Sequence, residues 1–154
     1  MALPEFNQFG DLPPGVHKTS LDEVINRFGS GSDRRGVVTQ KLRHIYDLAK
    51  RTGHLNRLVV FGSYITNKSE PNDVDVILVM DETFVLDQCP PEASALFDHA
   101  IAQARYGASI FWIRPNMLMS ETMDEFIAYW QIKRDGTQRG IAEVREGEDS
   151  NDSQ

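Results

Sequence analysis

At 154 residues, with 40% hydrophobic and 25% charged side chains, the chain suits one globular domain with a sizeable core. A net charge of −7 argues against broad, sequence-independent binding to DNA, which depends on Lys and Arg neutralising phosphates. No apolar run approaches the roughly 20 residues that span a bilayer, so no membrane partner is expected. The opening MALPEFNQFGDLPPG lacks the basic and apolar regions of a signal peptide, and the single Cys89 cannot form an internal disulfide or a cysteine metal cluster; the expected location is cytoplasmic.

Residues 1–18, with LPPG, read as an extended arm. The domain proper is expected over 19–145, and the acidic EGEDSNDSQ, 146–154, reads as a disordered tail. SLDE, Ser20–Glu23, has the spacing of a capping box and predicts a short helix to about Arg27. After the flexible break GSGSDRRG comes a longer helix, with Val38, Leu42, Ile45 and Ala49 at helical spacing and Gly53 as its stop. RLVVF, Arg57–Phe61, is a strand; GSYITNKSEPN is a turn and loop; DVDVILVM, Asp73–Met80, is the next strand. Pro91–Tyr106 is expected to be one helix, with Phe97, Ile101 and Ala104 toward the core and Gly107 ending it. ASIFWI is a third strand, and SETMDEFIAYWQI a helix whose Met123, Phe126, Ile127 and Trp130 recur at helical spacing. A turn, RDGTQRG, leads to a last short strand, GIAEV. The order predicts an α+β fold: a small mixed β-sheet flanked by helices.

One strand is chemically odd. Residues i and i+2 of a strand share a face, so Asp73 and Asp75 are expected side by side in an otherwise apolar segment. Two like charges there repel, and each is costly to desolvate. A divalent cation, Mg²⁺ or Mn²⁺, would account for the pair; alternatively, PND is turn chemistry and Asp73 closes a solvated loop. The preceding strand ends in Gly62-Ser63. Glycine lets the backbone approach a ligand, the following amides can cradle phosphate, and Ser63 offers a hydroxyl. Lys68, in the connecting loop, is within reach of a phosphate or is a solvated lysine. A cation shared between carboxylates and substrate phosphates suits phosphoryl chemistry, which needs mainly positioning and charge stabilisation.

With these residues in place, FGSYITNKSEPNDVDVILVM resembles the signature of the DNA-polymerase-β-like nucleotidyltransferase superfamily: Gly-Ser, a loop, then Asp-x-Asp in an apolar strand. It is most similar to the minimal members, among them the nucleotidyltransferase halves of bacterial toxin–antitoxin and abortive-infection systems. LPPGVHKTSLDEV and YWQIKRDGTQRGIAEV are similar to a group of short bacterial proteins carrying this domain. The resemblance implies a polymerase-β-like fold, catalytic metal-binding roles for Asp73 and Asp75, and a phosphate-binding turn at Gly62 and Ser63. It implies a nucleoside triphosphate substrate, ATP first, whose nucleoside monophosphate moves to a hydroxyl. The acceptor would be an RNA 3′ end or a protein partner from a neighbouring gene, in a toxin–antitoxin or phage-defence module.

One feature departs from that pattern. A third carboxylate is expected on ASIFWI, and Ser109 stands in its place; a serine cannot act as a carboxylate base. The alternative is therefore a catalytically degenerate nucleotide-binding or antitoxin-like module that acts by protein contact.

Elsewhere the bland readings lead. Arg34, Arg35, Lys41, Arg43, Lys50, Arg51 and Arg57 read as a solvated basic face, with a phosphate or RNA surface as the minority reading. His17, His44, His54 and His99 lack metal-ligand spacing. Trp112 and Trp130 fit core packing, and Arg114 is an outlying candidate for nucleotide or acceptor contact.

Overall fold

The computed structural model describes residues 3–146. Five strands, β1 (Val16–Thr19), β2 (Leu55–Phe61), β3 (Val74–Met80), β4 (Ala108–Ile113) and β5 (Ile141–Arg145), form one mixed sheet in the order β1-β5-β2-β3-β4. The outer pairs β1–β5 and β3–β4 are parallel, and the inner pairs β5–β2 and β2–β3 antiparallel. Together with α1 (Leu21–Phe28), α2 (Asp33–Arg51), α3 (Pro91–Ser94), α4 (His99–Tyr106) and α5 (Met123–Ala128), they make an α+β architecture. No helix among the described residues is long and apolar enough to cross a membrane.

Local chemistry sets the helix ends. The Ser20 hydroxyl accepts from the Glu23 amide at 3.1 Å and starts α1, and Ser32 does the same for α2 with the Arg35 amide at 3.1 Å. On α2, Val38, Leu42, Ile45 and Ala49 are buried where the helix lies along β3 and β2. The Val, Ile, Leu and Met side chains of β3 are buried on both of its faces, the mark of a central strand covered from either side.

Register then fixes the faces. Phe61 stands opposite Asp75, and Asp75 opposite Ser109, so the three project together. The segment from α5 onward covers this face, its Trp130 ring 5.0 Å from Phe61 and 4.9 Å from Phe111. On the opposite face, Trp112 packs edge-on against Phe84 and Phe97, each at 5.5 Å.

Several expectations needed correcting. The arm is not wholly outside the sheet: its end, with Thr19, is β1, an edge strand paired along β5. Leu12 within the arm is fully buried. The expected helix 91–106 is broken, because Asp98 takes an extended conformation and its carboxylate caps a fresh helix through the Ile101 amide at 3.1 Å. The restart shifts the phase, so Ala102 is buried while Ile101 and Ala104 are exposed. Similarly, Thr122 and Glu125 form a capping box that delays α5 to Met123, and Trp130 falls in a following 3₁₀ turn. Strand β2 begins two residues earlier than expected, at Leu55, and β3 one later, at Val74, which leaves Asp73 ahead of the strand. Of the acidic tail, only Glu146 falls within the described residues; its carboxylate accepts from the Tyr46 hydroxyl at 2.8 Å and lies 3.4 Å from Lys50 Nζ. The remainder of that expectation, 147–154, lies outside the described residues.

Candidate active site

Where β2 ends, the chain turns sharply. Gly62 has φ 84° and ψ −164°, a conformation open essentially to glycine alone. The turn also demands a missing side chain, since a Cβ on Gly62 would collide with Asp75 Oδ2. The glycine therefore lets a carboxylate sit directly against the backbone of the corner. Ser63 follows and opens the 3₁₀ turn Ser63–Ile65. Ser109 stands directly across on β4, its hydroxyl on the same face as the Asp75 carboxylate. Burial raises the Asp75 carboxyl above the usual carboxylate range; the Ser109 hydroxyl and the Arg139 charge lower it, and the Asp73 charge adds to the rise.

These residues line a groove of about 860 Å³. Gly62, Ser63, Lys68, Asp75 and Ser109 share it with the aromatic wall Phe61, Phe111 and Trp130 and with residues 131–135 and Arg139. A second lobe of about 730 Å³ continues past Ser63, Lys68, Lys133 and Arg139 and is closed by the arm at Phe9 and Asp11. Asp11 fastens that wall: its Oδ1 lies 3.6 Å from Arg139 and its Oδ2 3.9 Å from Lys133. Four cationic side chains, Lys68, Lys133, Arg134 and Arg139, thus converge on one groove of a protein whose net charge is −7.

Asp73 is placed differently. It does not line the groove; its Oδ1 lies 3.8 Å from Lys41 Nζ and close to Gly107. The two carboxylates are electrostatic neighbours, as the effect of Asp73 on Asp75 shows, but one faces the groove and the other faces α2.

Among the described residues no group of three or more His, Cys, Asp or Glu side chains is gathered to hold a metal. Only Asp75 presents a carboxylate to the groove, a hard oxygen donor of the kind a divalent cation takes, and Asp73 would have to leave Lys41 to add a second.

The basic run of α2 and the start of β2 does not supply the groove's cations. Arg57 pairs with buried Glu143 at 3.1 Å and Lys41 with Asp73, while Arg35 is itself buried. Its guanidinium donates to four carbonyls: Nη1 to Phe28 at 3.0 Å and Tyr64 at 2.7 Å, Nη2 to Thr66 at 2.6 Å and Lys68 at 2.5 Å. Arg114 is also committed elsewhere, donating to the Phe84 carbonyl at 2.9 Å. Sequence reasoning passed over Lys133, Arg134 and Arg139 because they sat in a turn without periodicity. The signal available was three cations within the seven residues before a strand.

No curated protein and no solved structure matches the chain. Over residues 4–145 it matches, and so belongs to, the family of unknown function DUF6932.

Proposed function

We propose that the groove binds a nucleoside triphosphate with a divalent cation and transfers its nucleoside monophosphate to a hydroxyl, on a polymerase-β-like nucleotidyltransferase fold. One observation carries the reading: Gly62 gives up its side-chain space to the Asp75 carboxylate, which sets an acid, a Gly-Ser corner and four cations around a single groove. A triphosphate matches the cations; a nucleobase matches the Phe61–Phe111–Trp130 wall, where ring stacking is worth about 1–3 kcal/mol per base.

Each part then has a task. Lys68, Lys133, Arg134 and Arg139 hold the β and γ phosphates and the leaving pyrophosphate, with Ser63 donating its hydroxyl. Asp75, with Asp73 once released from Lys41, would hold Mg²⁺, which when bound supplies charge neutralisation at the phosphates. The acceptor oxygen bonds to the α-phosphorus, the bond from that phosphorus to the α–β bridging oxygen breaks, and pyrophosphate departs. The hydroxyl proton passes to solvent, because Ser109 across from Asp75 is no base. ATP is the expected nucleotide, and the acceptor an RNA 3′ end or a protein, including a partner encoded nearby in a toxin–antitoxin or phage-defence module.

Ser109 also favours a second reading, a module that binds nucleotide and acts on a protein partner by contact without transfer. One assay separates them. The protein is incubated with α-labelled nucleoside triphosphates, Mg²⁺, total RNA and lysate, beside Asp75→Asn. Label on RNA or protein only with the unsubstituted chain supports transfer; nucleotide binding without label supports the second reading; neither label nor binding refutes both.

A further inference from the structure

We infer that Arg35, remote from the groove, is the positioning residue that holds the phosphate-binding corner in its working shape; the inference rests on the nucleotide reading above. The segment from Ser63 to Ser69 carries the groove's Ser63 and Lys68, yet past its single 3₁₀ turn it belongs to no helix or strand, and residues 67–70 are exposed. A loop of that kind ordinarily costs conformational entropy to order around a ligand. Here the ordering is done in advance: the Asn67 amide donates to the Gly10 carbonyl at 2.9 Å and the Thr66 amide to the Ser63 carbonyl at 3.2 Å, and one guanidinium holds the loop's other side. Three of its four acceptors, the carbonyls of Tyr64, Thr66 and Lys68, are alternate members of the loop, and the fourth, Phe28, ends α1. Five donors on a rigid planar fork allow this; an ammonium on a flexible stem cannot span the same set.

Two features tie the clamp to the body. Arg35 sits in the first turn of α2, and the hydroxyl of its cap Ser32 also donates to the Ser69 carbonyl at 2.7 Å, so two side chains of the helix start, Ser32 and Arg35, join α2 to the loop. The Arg35 guanidinium also lies 5.7 Å from the Tyr64 ring centroid, and the Tyr64 hydroxyl is 2.7 Å from Thr39 Oγ1, one turn along the same helix. The guanidinium is only 5% exposed as part of its residue and its donors meet main-chain oxygens, so its role is to place Ser63 and Lys68 rather than to touch phosphate. Preorganisation of this type raises affinity by removing the ordering cost at binding.

The test compares the unsubstituted protein, Arg35→Lys, and Leu48→Ala, a buried position on α2 outside the loop's contacts that serves as a destabilised control. Hydrogen exchange is followed by NMR, and ATP·Mg²⁺ affinity by calorimetry well below each Tm. In the unsubstituted protein the Thr66, Asn67 and Lys68 amides should exchange as slowly as amides in the middle of α2, despite the exposure of residues 67 and 68. Arg35→Lys should accelerate those amides and weaken ATP·Mg²⁺ binding by about tenfold or more, while Leu48→Ala leaves both unchanged. Loop amides that already exchange at open-chain rates without substitution overturn the inference even if Arg35→Lys does not fold. So does a folded Arg35→Lys with unaltered exchange and affinity. If the unsubstituted protein binds no nucleotide, the functional reading fails, and the exchange comparison still decides whether Arg35 holds the corner.

Discussion

Replacing Gly62 with alanine should damage the protein in two separable ways. The first is backbone strain: at φ 84° and ψ −164° a residue with a Cβ carries a cost of about 1–3 kcal/mol. The second is collision, because the new methyl would meet Asp75 Oδ2 and lie 3.0 Å from Asp75 Cγ and 3.3 Å from its Cβ. The carboxylate is half-buried between the corner and Ser109 across the sheet, so overpacking adds about 1–3 kcal/mol. Gly62→Ala is therefore expected to lose roughly 2–6 kcal/mol, a fall of about 4–24 °C in Tm for a chain of this size. Gly53 provides the comparison: its φ is 77°, yet a Cβ there meets nothing within 4 Å, so Gly53→Ala should carry strain alone, about 1 kcal/mol. Urea unfolding of both variants, each alone and combined with Asp75→Ala, makes a thermodynamic cycle. With the carboxylate gone, the collision should vanish and strain alone remain. Equal losses for Gly62→Ala and Gly53→Ala, or no coupling between Gly62→Ala and Asp75→Ala, would refute the claim that the corner is shaped around Asp75.

Other variants probe the frame around the site. Arg57→Met leaves Glu143, 2% exposed, with Arg145 as its remaining partner at 2.7 Å; about 2–3 kcal/mol should be lost in urea unfolding, and a loss under 0.5 kcal/mol would show the pair is not structurally needed. Tyr64→Phe removes a buried hydroxyl from Thr39 and should cost about 1 kcal/mol, since Thr39 keeps its bond to the Arg35 carbonyl at 2.7 Å. The hydrogen bond from Arg57 holds the Asp124 carboxyl below the usual range, so its stabilising effect is present above the ordinary carboxylate pKa and lost as pH falls through the lowered one. Asp124 is exposed, and Asp124→Asn should cost no more than about 1 kcal/mol at neutral pH, with the difference closing as pH falls through the lowered carboxylate pKa; a pH-independent cost would count against the linkage.

Much of this fold is readable from periodicity. The alternation and apolarity of β3, the spacing of Val38, Leu42, Ile45 and Ala49, and the caps at Ser20 and Gly107 are all local signals, and the structure has them. The adjacency of Ser109 to Asp75 needed only the idea that β3 and β4 are neighbours. Long-range facts were not readable. Parallel pairing of β1 with β5 joins residues more than 120 positions apart, and the arm's own composition does not advertise a strand. Arg35 looked like one more cation in a basic helix, because its burial depends on carbonyls from a loop some thirty residues later. Likewise Asp73 was expected beside Asp75 by strand alternation, whereas the strand starts at Val74 and Lys41 draws the carboxylate toward α2.

The central claim is that the corner groove is a nucleotide site, and an amide-resolved NMR titration tests it most directly. The protein is titrated with ATP and Mg²⁺, with Asp75→Asn as the comparison. The account predicts saturable shifts confined to Gly62, Ser63, Lys68, Asp75, Phe111 and residues 130–139, greatly weakened in the variant. Saturating ATP·Mg²⁺ that moves none of these amides, or moves them equally in Asp75→Asn, would contradict it.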